Sequence, residues 1–147
     1  MFNITEPLPP VTLTVKDIMA LDGLLMMASP GYGKNDDYIA EYLERELNRA
    51  HVVADNDLPD HVVRMHSTVT YSTNTSGKEC HLTLVYPVEA DIDAGKVSVM
   101  TPIGAALIGL TAGDSITYFT PNGGAQTVKV IAVAPPGVEN LQQLHTG

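Results

Sequence analysis

Residues 82–118 constrain the fold more than any other stretch, because signals for strand, helix start, short helix and turn follow one another there without conflict. Apolar and polar side chains alternate over residues 82–86 and again over residues 97–99. Such alternation predicts two strands of a sheet that has one buried face. A stretch rich in acidic residues, residues 89–93, lies between the two strands.

A short helix is predicted directly after the second of these strands. Thr101 can cap the helix, and Pro102 suits its first position because that position needs no hydrogen-bond donor. Gly109 suits the left-handed residue that ends many helices. A turn at residues 113–114 then leads into a further strand, residues 115–119. The helix has barely two turns and is expected to pack against the sheet formed by its own neighbouring strands.

The first 60 residues predict a pair of helices. Apolar side chains recur at helical spacing over residues 14–28 and over residues 37–50. The segment between them, residues 29–34, holds one proline and two glycines, which end a helix. We therefore expect an antiparallel helical hairpin with arms of about 20 Å, since each helical residue adds about 1.5 Å.

Proline-rich and polar segments suggest how the chain is divided. Residues 1–13 contain three prolines and predict an extended arm. The sequence DNDLPD at residues 55–60 predicts a polar hinge. We therefore expect one unit of residues 1–54, the arm and the hairpin, and a second unit of residues 55–147, the sheet domain with a frayed C-terminal tail.

Two further hairpins complete the predicted sheet. Residues 62–71 alternate loosely, and a turn at residues 74–77 leads into a strand at residues 79–86. A turn at residues 121–124 joins the preceding strand to residues 126–133. The predicted fold class is therefore α+β: a short N-terminal antiparallel helical hairpin followed by an antiparallel sheet of about five strands, with one short helix across it.

The net charge is −9, and most of it lies in the first part of the chain. Residues 1–60 hold eleven acidic and four basic side chains, whereas residues 61–147 hold six and four. Such a surface repels phosphate backbones, so we expect no direct binding to nucleic acid. A protein with a basic rim is the expected partner, although solubility alone also explains this charge. No run of about 20 apolar residues is present, so we expect a cytoplasmic protein without a membrane segment.

The chain carries no recognisable catalytic or metal-binding motif. Residues 31–34, GYGK, are too short for a phosphate-binding loop, and Asn35 stands where serine or threonine would be needed. The five histidines and Cys80 show no short metal-ligand spacing. No serine lies in a nucleophile elbow. We therefore expect no catalytic residue, no metal, no cofactor and no enzymatic activity.

The acidic pair Asp36 and Asp37 lies at the predicted tip of the hairpin. Carboxylates at the start of a helix satisfy free N–H groups and the helix dipole, so capping is the simpler explanation for them. Adjacent residues also diverge by about 100° around a helix, which does not favour a shared site. A contact between this tip and a partner protein stays open.

Four segments carry a resemblance to a known family: TLVYP at residues 83–87, SVMTPIGAALIGL at 98–110, GDSI at 113–116 and PNGG at 121–124. In this order and spacing they resemble the C-terminal domain of the Gre transcript-cleavage factors. Within that family they are most similar to the branch of regulators of nucleoside diphosphate kinase (Rnk). The resemblance spans about residues 17–133. It implies the FKBP-like form of the α+β fold for the sheet domain.

The resemblance also implies a bacterial transcription regulator that binds RNA polymerase near its secondary channel and competes there with Gre-type factors. In Gre factors the loop between strand and short helix carries an acidic residue, a serine and a proline, and it touches the helical rim of the channel. The matching residues here, Met100, Thr101 and Pro102, are the candidate polymerase-binding residues. Met100 replaces the acidic residue, so a flexible apolar side chain stands where a charge would pair with a basic rim.

Gre factors further carry acidic residues at the tip of a long coiled coil, which enter the polymerase and help to hold a catalytic Mg²⁺. Asp36 and Asp37 match these residues only in position. Arms of about 20 Å would leave them outside a deep active site. The resemblance therefore implies binding to RNA polymerase without transcript cleavage.

Two alternatives stay open from the sequence. FKBP-like folds also serve as prolyl isomerases and peptide-binding modules, but a proline pocket needs converging aromatic side chains, and the chain has no Trp and two Phe. Direct regulation of nucleoside diphosphate kinase through the acidic hairpin is the other alternative. A transcription regulator can change the amount of a kinase without touching it, and the sequence gives no support for direct contact.

Overall fold

The computed structural model describes residues 8–27, 34–120 and 124–137, and of residues 34–37 the backbone alone. Its regular elements are, in chain order, β1 (Thr12–Thr14), α1 (Val15–Met27), α2 (Lys34–Arg49), β2 (His51–Val53), β3 (Thr68–Thr73), β4 (Glu79–Val85), β5 (Lys96–Ser98), α3 (Pro102–Leu107), β6 (Ser115–Phe119) and β7 (Ala125–Ala134). Three short 3-10 turns interrupt the loops at Asp55–Asp57, Pro87–Glu89 and Ile92–Ala94. No helix in this described part of the chain is both long and apolar enough to cross a membrane.

The main sheet has five strands in the order β5-β4-β3-β7-β6. Its other neighbouring pairs are antiparallel, but β4 and β5 run parallel, with Thr83 opposite Lys96 and Val85 opposite Ser98. The prediction of a wholly antiparallel sheet is therefore wrong at this edge. Alternation of side chains has the same period in both kinds of pairing, so it does not report strand direction. The FKBP-like comparison stays a prediction.

The connection between β4 and β5 covers the edge of the sheet. After Val85 the chain passes through two 3-10 turns, and Asp91 and Lys96 then exchange two backbone hydrogen bonds of 2.9 Å each. Because this loop returns the chain to the start of β4 before β5 begins, β5 has to run in the same direction as β4. The loop also pairs with an edge strand whose backbone groups would otherwise be free.

Strand β3 begins later than the sequence suggests. Residues 62–67 were expected to belong to it, but there Val62 pairs with Thr111 and Ser67 closes a turn on the carbonyl of Arg64 at 3.1 Å. His66 has a φ of +73°, which no strand residue adopts. The loose alternation of residues 62–71 therefore reflects burial on either side of a bend rather than a continuous strand.

Part of the predicted extended arm is a strand. β1 pairs in parallel with β2, and the amide of Thr12 donates to the carbonyl of Gly109 at 3.0 Å. Val11 and Leu13 are fully buried. The arm is therefore anchored to the sheet domain. Strands of three residues are too short to give a periodic signal.

Two helices lie at the predicted places, and the turn between them falls outside the described residues. The amide of Asp17 donates to the hydroxyl of Thr14 at 3.0 Å, and this bond caps the start of α1. α2 begins at Lys34, so Asp36 and Asp37 lie in its first turn rather than before it. Their side chains lie outside the described part of the structure.

One hydrophobic core joins the helices to the sheet. Leu21 of α1 and Leu43 of α2 belong to the same buried cluster as Leu84 of β4 and Val128 of β7. α3 packs against both α2 and β6. Buried side chains from both proposed units share this core. The division of the chain between residues 54 and 55 stays a prediction.

Candidate docking site

The candidate docking loop, residues 98–102, is held by hydrogen bonds from both of its ends. The amide of Val99 donates to the carbonyl of Val85 at 2.8 Å, which extends the β4–β5 pairing by one residue. The amide of Met100 donates to the Ser98 hydroxyl at 2.9 Å, and the Thr101 hydroxyl donates to the Ser98 carbonyl at 2.7 Å. Ser98 thus fixes the two residues that follow it. These hydrogen bonds restrict the conformations that the loop can adopt.

Thr101 caps α3 as the sequence predicts. Its hydroxyl oxygen accepts from the amide of Gly104 at 3.1 Å, and Pro102 occupies the first helical turn. Because this hydroxyl also donates to the Ser98 carbonyl, one lone pair of its oxygen is left without a described hydrogen bond. Met100 is half-buried and packs against the core, so only part of its side chain is available.

Gly104 brings the first turn of α3 directly against the end of β5. A Cβ at this position would lie 2.2 Å from the Ser98 carbonyl oxygen and 2.9 Å from both the Thr101 hydroxyl and the Val99 Cα. Two of these three atoms are backbone atoms. The compact shape of the docking loop therefore depends on the missing side chain at residue 104.

α2 packs directly behind the docking loop. Pro102 and Ala105 face Tyr38 and Tyr42 of α2 and Phe119 of β6 across a cavity of about 10 Å³. The hydroxyl of Tyr38 donates to the carbonyl of Phe119 at 3.3 Å. A volume of this size holds at most one water molecule, so the aromatic side chains that meet here fill space and leave no room for a prolyl peptide. Sequence patterns do not indicate this aromatic cluster, because its members come from distant segments.

A buried polar network holds α2 to the N-terminal segment. Glu46 is buried and pairs with the Arg49 guanidinium, which also donates to the carbonyl of Pro9 at 2.8 Å. Burial raises the pKa of the Tyr42 hydroxyl, and the charge of Glu46 raises it further, so this phenol stays protonated. The network fixes α2, and through it the back of the docking loop.

The acidic loop, here defined as residues 86–95, lies beside the docking loop along the edge of β5. Val88 and Ile92 are 93% and 86% exposed there, although both are apolar. The Glu89 carboxylate pairs with the His66 ring at 2.8 Å and accepts from the amide of Tyr86 at 3.3 Å. The hydrogen bond from His66 holds the pKa of the Glu89 carboxyl below its usual value. The loop thus presents two exposed apolar side chains beside several acidic ones.

The first turn of α2 lies near one of the candidate docking residues. Tyr38 directly follows Asp36 and Asp37 in α2, and it lines the same small cavity as Pro102. Because the side chains of Asp36 and Asp37 lie outside the described residues, no contact between the two predicted sites is described. Within the described residues, no three His, Cys, Asp or Glu side chains are close enough to hold a metal ion. The assignment of either set to a partner contact stays a prediction.

The geometry described above falls within a known domain. Residues 58–135, more than half of the chain, match the family model described as the C-terminal domain of the GreA/GreB transcription elongation factors. The chain belongs to the GreA/GreB family. The matched region of this family member includes β3 to β7, the acidic loop, the docking loop and α3.

Individual relatives agree with this membership of the GreA/GreB family. The chain is 35% identical over 120 residues to the "Regulator of nucleoside diphosphate kinase" of Escherichia coli K12, which covers 82% of this chain and 87% of that protein. It is 37% identical over 100 residues to the "Transcription elongation factor GreA" of Beijerinckia indica. That match covers 68% of this chain and 62% of that protein. The resemblance to regulators of nucleoside diphosphate kinase is thereby confirmed.

A solved structure shows the same fold for a GreA/GreB family protein. It is the "Prokaryotic transcription elongation factor GreA/GreB from Nitrosomonas europaea", with a TM-score of 0.65 and 37% sequence identity. The match covers 86% of this chain and 98% of the other. The family model begins at residue 58, after both long helices. Because the structural match covers 86% of the chain, it extends beyond that model into the helical segment.

Proposed function

We propose that this GreA/GreB family member is a transcription regulator that binds RNA polymerase near the secondary channel. The observation that carries the proposal is the match of residues 58–135 to the GreA/GreB C-terminal domain, because this span contains the whole docking loop and the first turn of α3. The names of the relatives describe regulators and elongation factors rather than enzymes. RNA polymerase is thus the partner, and competition with Gre-type factors is the means of regulation.

The docking surface consists of Met100, Thr101 and Pro102 together with the acidic loop. The backbone bond from Val99 to Val85 supports this combination, because it places the end of β5 beside the start of the acidic loop. The exposed Val88 and Ile92 give apolar contact area, and the surrounding carboxylates complement a basic rim. A fixed loop loses little conformational entropy on binding, which favours affinity.

The protein binds without cleaving transcripts. α1 has 13 residues and α2 has 16, which correspond to lengths of about 20 and 24 Å. Helices of this length, packed into the same core as the sheet, carry Asp36 and Asp37 only a short way from the docking surface. They act as first-turn residues of α2 and contribute no catalytic metal site.

The kinase named in the relative from E. coli is not the direct partner in this proposal. A regulator of transcription changes the amount of a kinase without contact between the two proteins. A pull-down from lysate with the whole chain as bait separates the two mechanisms. Polymerase subunits in the eluate support the proposal, whereas the kinase without polymerase contradicts it.

Transcript cleavage by backtracked RNA polymerase tests the functional proposal. The purified protein alone should leave the backtracked transcript intact, because no tip carboxylate reaches the polymerase active site. Added together with GreA, it should reduce GreA-stimulated cleavage in proportion to its concentration. Robust cleavage by the protein alone that disappears in the Asp36→Ala/Asp37→Ala variant would make the pair catalytic and refute the proposal.

A second experiment tests the docking residues. The double variant Met100→Asp/Thr101→Ser restores the order of acidic residue, serine and proline found in Gre factors and keeps a capping hydroxyl at residue 101. The new carboxylate should strengthen competition with GreA about two- to fivefold at low salt, the effect of one surface ion pair, and the gain should fade at high salt.

The matched control for this variant is Met19→Asp, because Met19 is 69% exposed on α1, away from the docking loop. It should leave competition with GreA unchanged. Thermal melting of all three proteins establishes that they are folded. If the double variant melts like the parent and competes equally well at both salt concentrations, the loop does not form the docking surface.

A further inference from the structure

A cavity of about 470 Å³ lies away from the docking loop, between the start of α1, the bend before β3 and the end of β7. This volume falls within the range of about 300–1,000 Å³ that is typical of small-molecule sites. The cavity is lined by Lys16, Asp17, Ala20, Arg64, Met65, His66, Tyr86, Pro135 and Pro136. Three of these side chains are basic and one is acidic.

The Arg64 guanidinium is the unusual group in this cavity. Its Nε is buried and has no hydrogen-bond partner among the described residues. The nearest carboxylate oxygen, Oδ2 of Asp17, lies 3.9 Å away, which is too far for a hydrogen bond. A guanidinium carries five N–H donors, and a buried charged donor without a partner is costly. The Nε atom itself is closed to a ligand, but the Arg64 side chain is 26% exposed and lines the cavity, so a ligand would contact the outer part of the guanidinium.

Asp17 is already occupied by the protein. Its carboxylate is buried and accepts from the amide of Met65 at 3.2 Å, so it fixes the bend that carries Arg64. The exposed Lys16 ammonium at the cavity mouth has no ion-pair partner in the described part of the chain. With Lys16 and Arg64 positive and Asp17 negative, the cavity has a local charge of +1 in a protein whose net charge is −9.

The remaining wall is apolar or aromatic. The rings of His66 and Tyr86 meet edge to face at 5.7 Å, and His66 is further held by its bond to Glu89. Pro135 and Pro136 face them from the end of β7. His66 holds its left-handed φ of +73° without being glycine, and such conformations concentrate at functional sites. The cavity therefore offers an aromatic and apolar wall beside the cationic side chains of Lys16 and Arg64.

We propose that this cavity binds a small organic anion, whose carboxylate or phosphate group is held by Arg64 and Lys16 while its apolar or ring-shaped body lies against Tyr86 and the two prolines. The planar guanidinium fork matches the oxygen spacing of both anions. The cavity lies apart from Met100, Thr101 and Pro102, although it shares Tyr86 with the acidic loop. The proposal stands whether or not the protein binds RNA polymerase. Its ligand would contact α1, the bend before β3 and the end of β7 at once, and would thereby stabilise their arrangement.

The proposal is tested by NMR titration of the ¹⁵N-labelled protein with phenyl phosphate, benzoate, inorganic phosphate and the neutral benzyl alcohol at millimolar concentration. We expect saturable shifts of the Lys16, Met65 and His66 amides with phenyl phosphate or benzoate, and none with benzyl alcohol. Whichever of phenyl phosphate and benzoate has the lower dissociation constant shows whether the site prefers a phosphate or a carboxylate group. If only inorganic phosphate gives saturable shifts, the aromatic and apolar wall contributes nothing to binding. That result would contradict the proposal of an organic ligand.

Arg64→Gln should weaken the binding of the anion about tenfold or more, since hydrogen bonds to a charged group are lost. Arg45→Gln, at an exposed position on α2, is the matched control and should bind like the parent. Lys16→Gln keeps the test valid if Arg64→Gln fails to fold, with Lys129→Gln on β7 as its control. Binding that is unchanged in Lys16→Gln and Arg64→Gln, or no saturable shift with either ring-bearing anion, would overturn the proposal.

Discussion

Truncating Leu43 to alanine should lower the free energy of unfolding by about 2–5 kcal/mol, and it should weaken the sheet as much as the helices. Leu43 is fully buried in the core cluster that also contains Leu84 of β4 and Val128 of β7. Removing its side chain opens a cavity between the helices and the sheet rather than within a separate hairpin. Urea unfolding should be followed by circular dichroism for the helices and by amide exchange for β4.

The matched control is Leu8→Ala, because Leu8 is 43% exposed and carries the same side chain. Its effect should be within about 0.5 kcal/mol, which is usual for a surface substitution. A result in which Leu43→Ala unfolds the helices while β4 amides stay fully protected would contradict a shared core. It would instead support the predicted division of the chain into residues 1–54 and 55–147.

Replacing Gly104 by alanine should destabilise the protein by about 1–3 kcal/mol, the usual cost of overpacking, although alanine is the better helix former. The added Cβ would lie 2.2 Å from the Ser98 carbonyl oxygen and 2.9 Å from the Thr101 hydroxyl. Strand β5 is tied to β4 and the hydroxyl caps α3, so neither atom can yield alone. The same substitution should weaken competition with GreA, because it distorts the docking loop.

Gly23→Ala is the control that isolates this close contact. Gly23 also lies inside a helix, but a Cβ there would meet nothing within 4 Å. That substitution should raise the free energy of unfolding by about 0.5–1 kcal/mol through helix propensity. Opposite signs for the two glycines, measured by urea unfolding, support the account. A Gly104→Ala variant as stable as the parent would show that α3 is free to move away from β5.

The local features of the fold could be predicted because their causes are local. Thr101, Pro102 and Gly104 form the start of α3 through hydrogen bonds that span three residues, and Thr14 caps α1 in the same way. Strands β4, β6 and β7 lie close to their predicted positions because each pairs within a hairpin or directly with a sequence neighbour. Gly109 has the left-handed φ that the sequence indicated.

The features that sequence reasoning missed depend on distant partners. The direction of β5 is set by the path of the acidic loop. Strand β1 forms because it pairs with β2 and because the Thr12 amide donates to the carbonyl of Gly109. β3 starts late because the Asp17 carboxylate, 48 positions away in sequence from the Met65 amide, helps to hold the bend before it. No pattern within a short window reports such contacts.

The two candidate sites differ in the same respect. The candidate docking residues Met100, Thr101 and Pro102 are proposed through the family resemblance, since they are contiguous and the motif around them is specific. The cavity beside Arg64 could not be found, because its walls come from α1, the bend before β3 and the end of β7. A buried carboxylate facing an arginine became visible only with the fold.

Hydrogen exchange of the unmodified protein, free and bound to RNA polymerase, tests the central claim most directly. The account predicts slower exchange of amides in residues 100–103 and in the acidic loop, residues 86–95, because these segments form the docking surface. Amides in the middle of α1 and at the β6–β7 end of the sheet should exchange at the same rates with and without polymerase. Slower exchange confined to α1 or α2, with residues 86–103 unchanged, would contradict docking through the loop between β5 and α3.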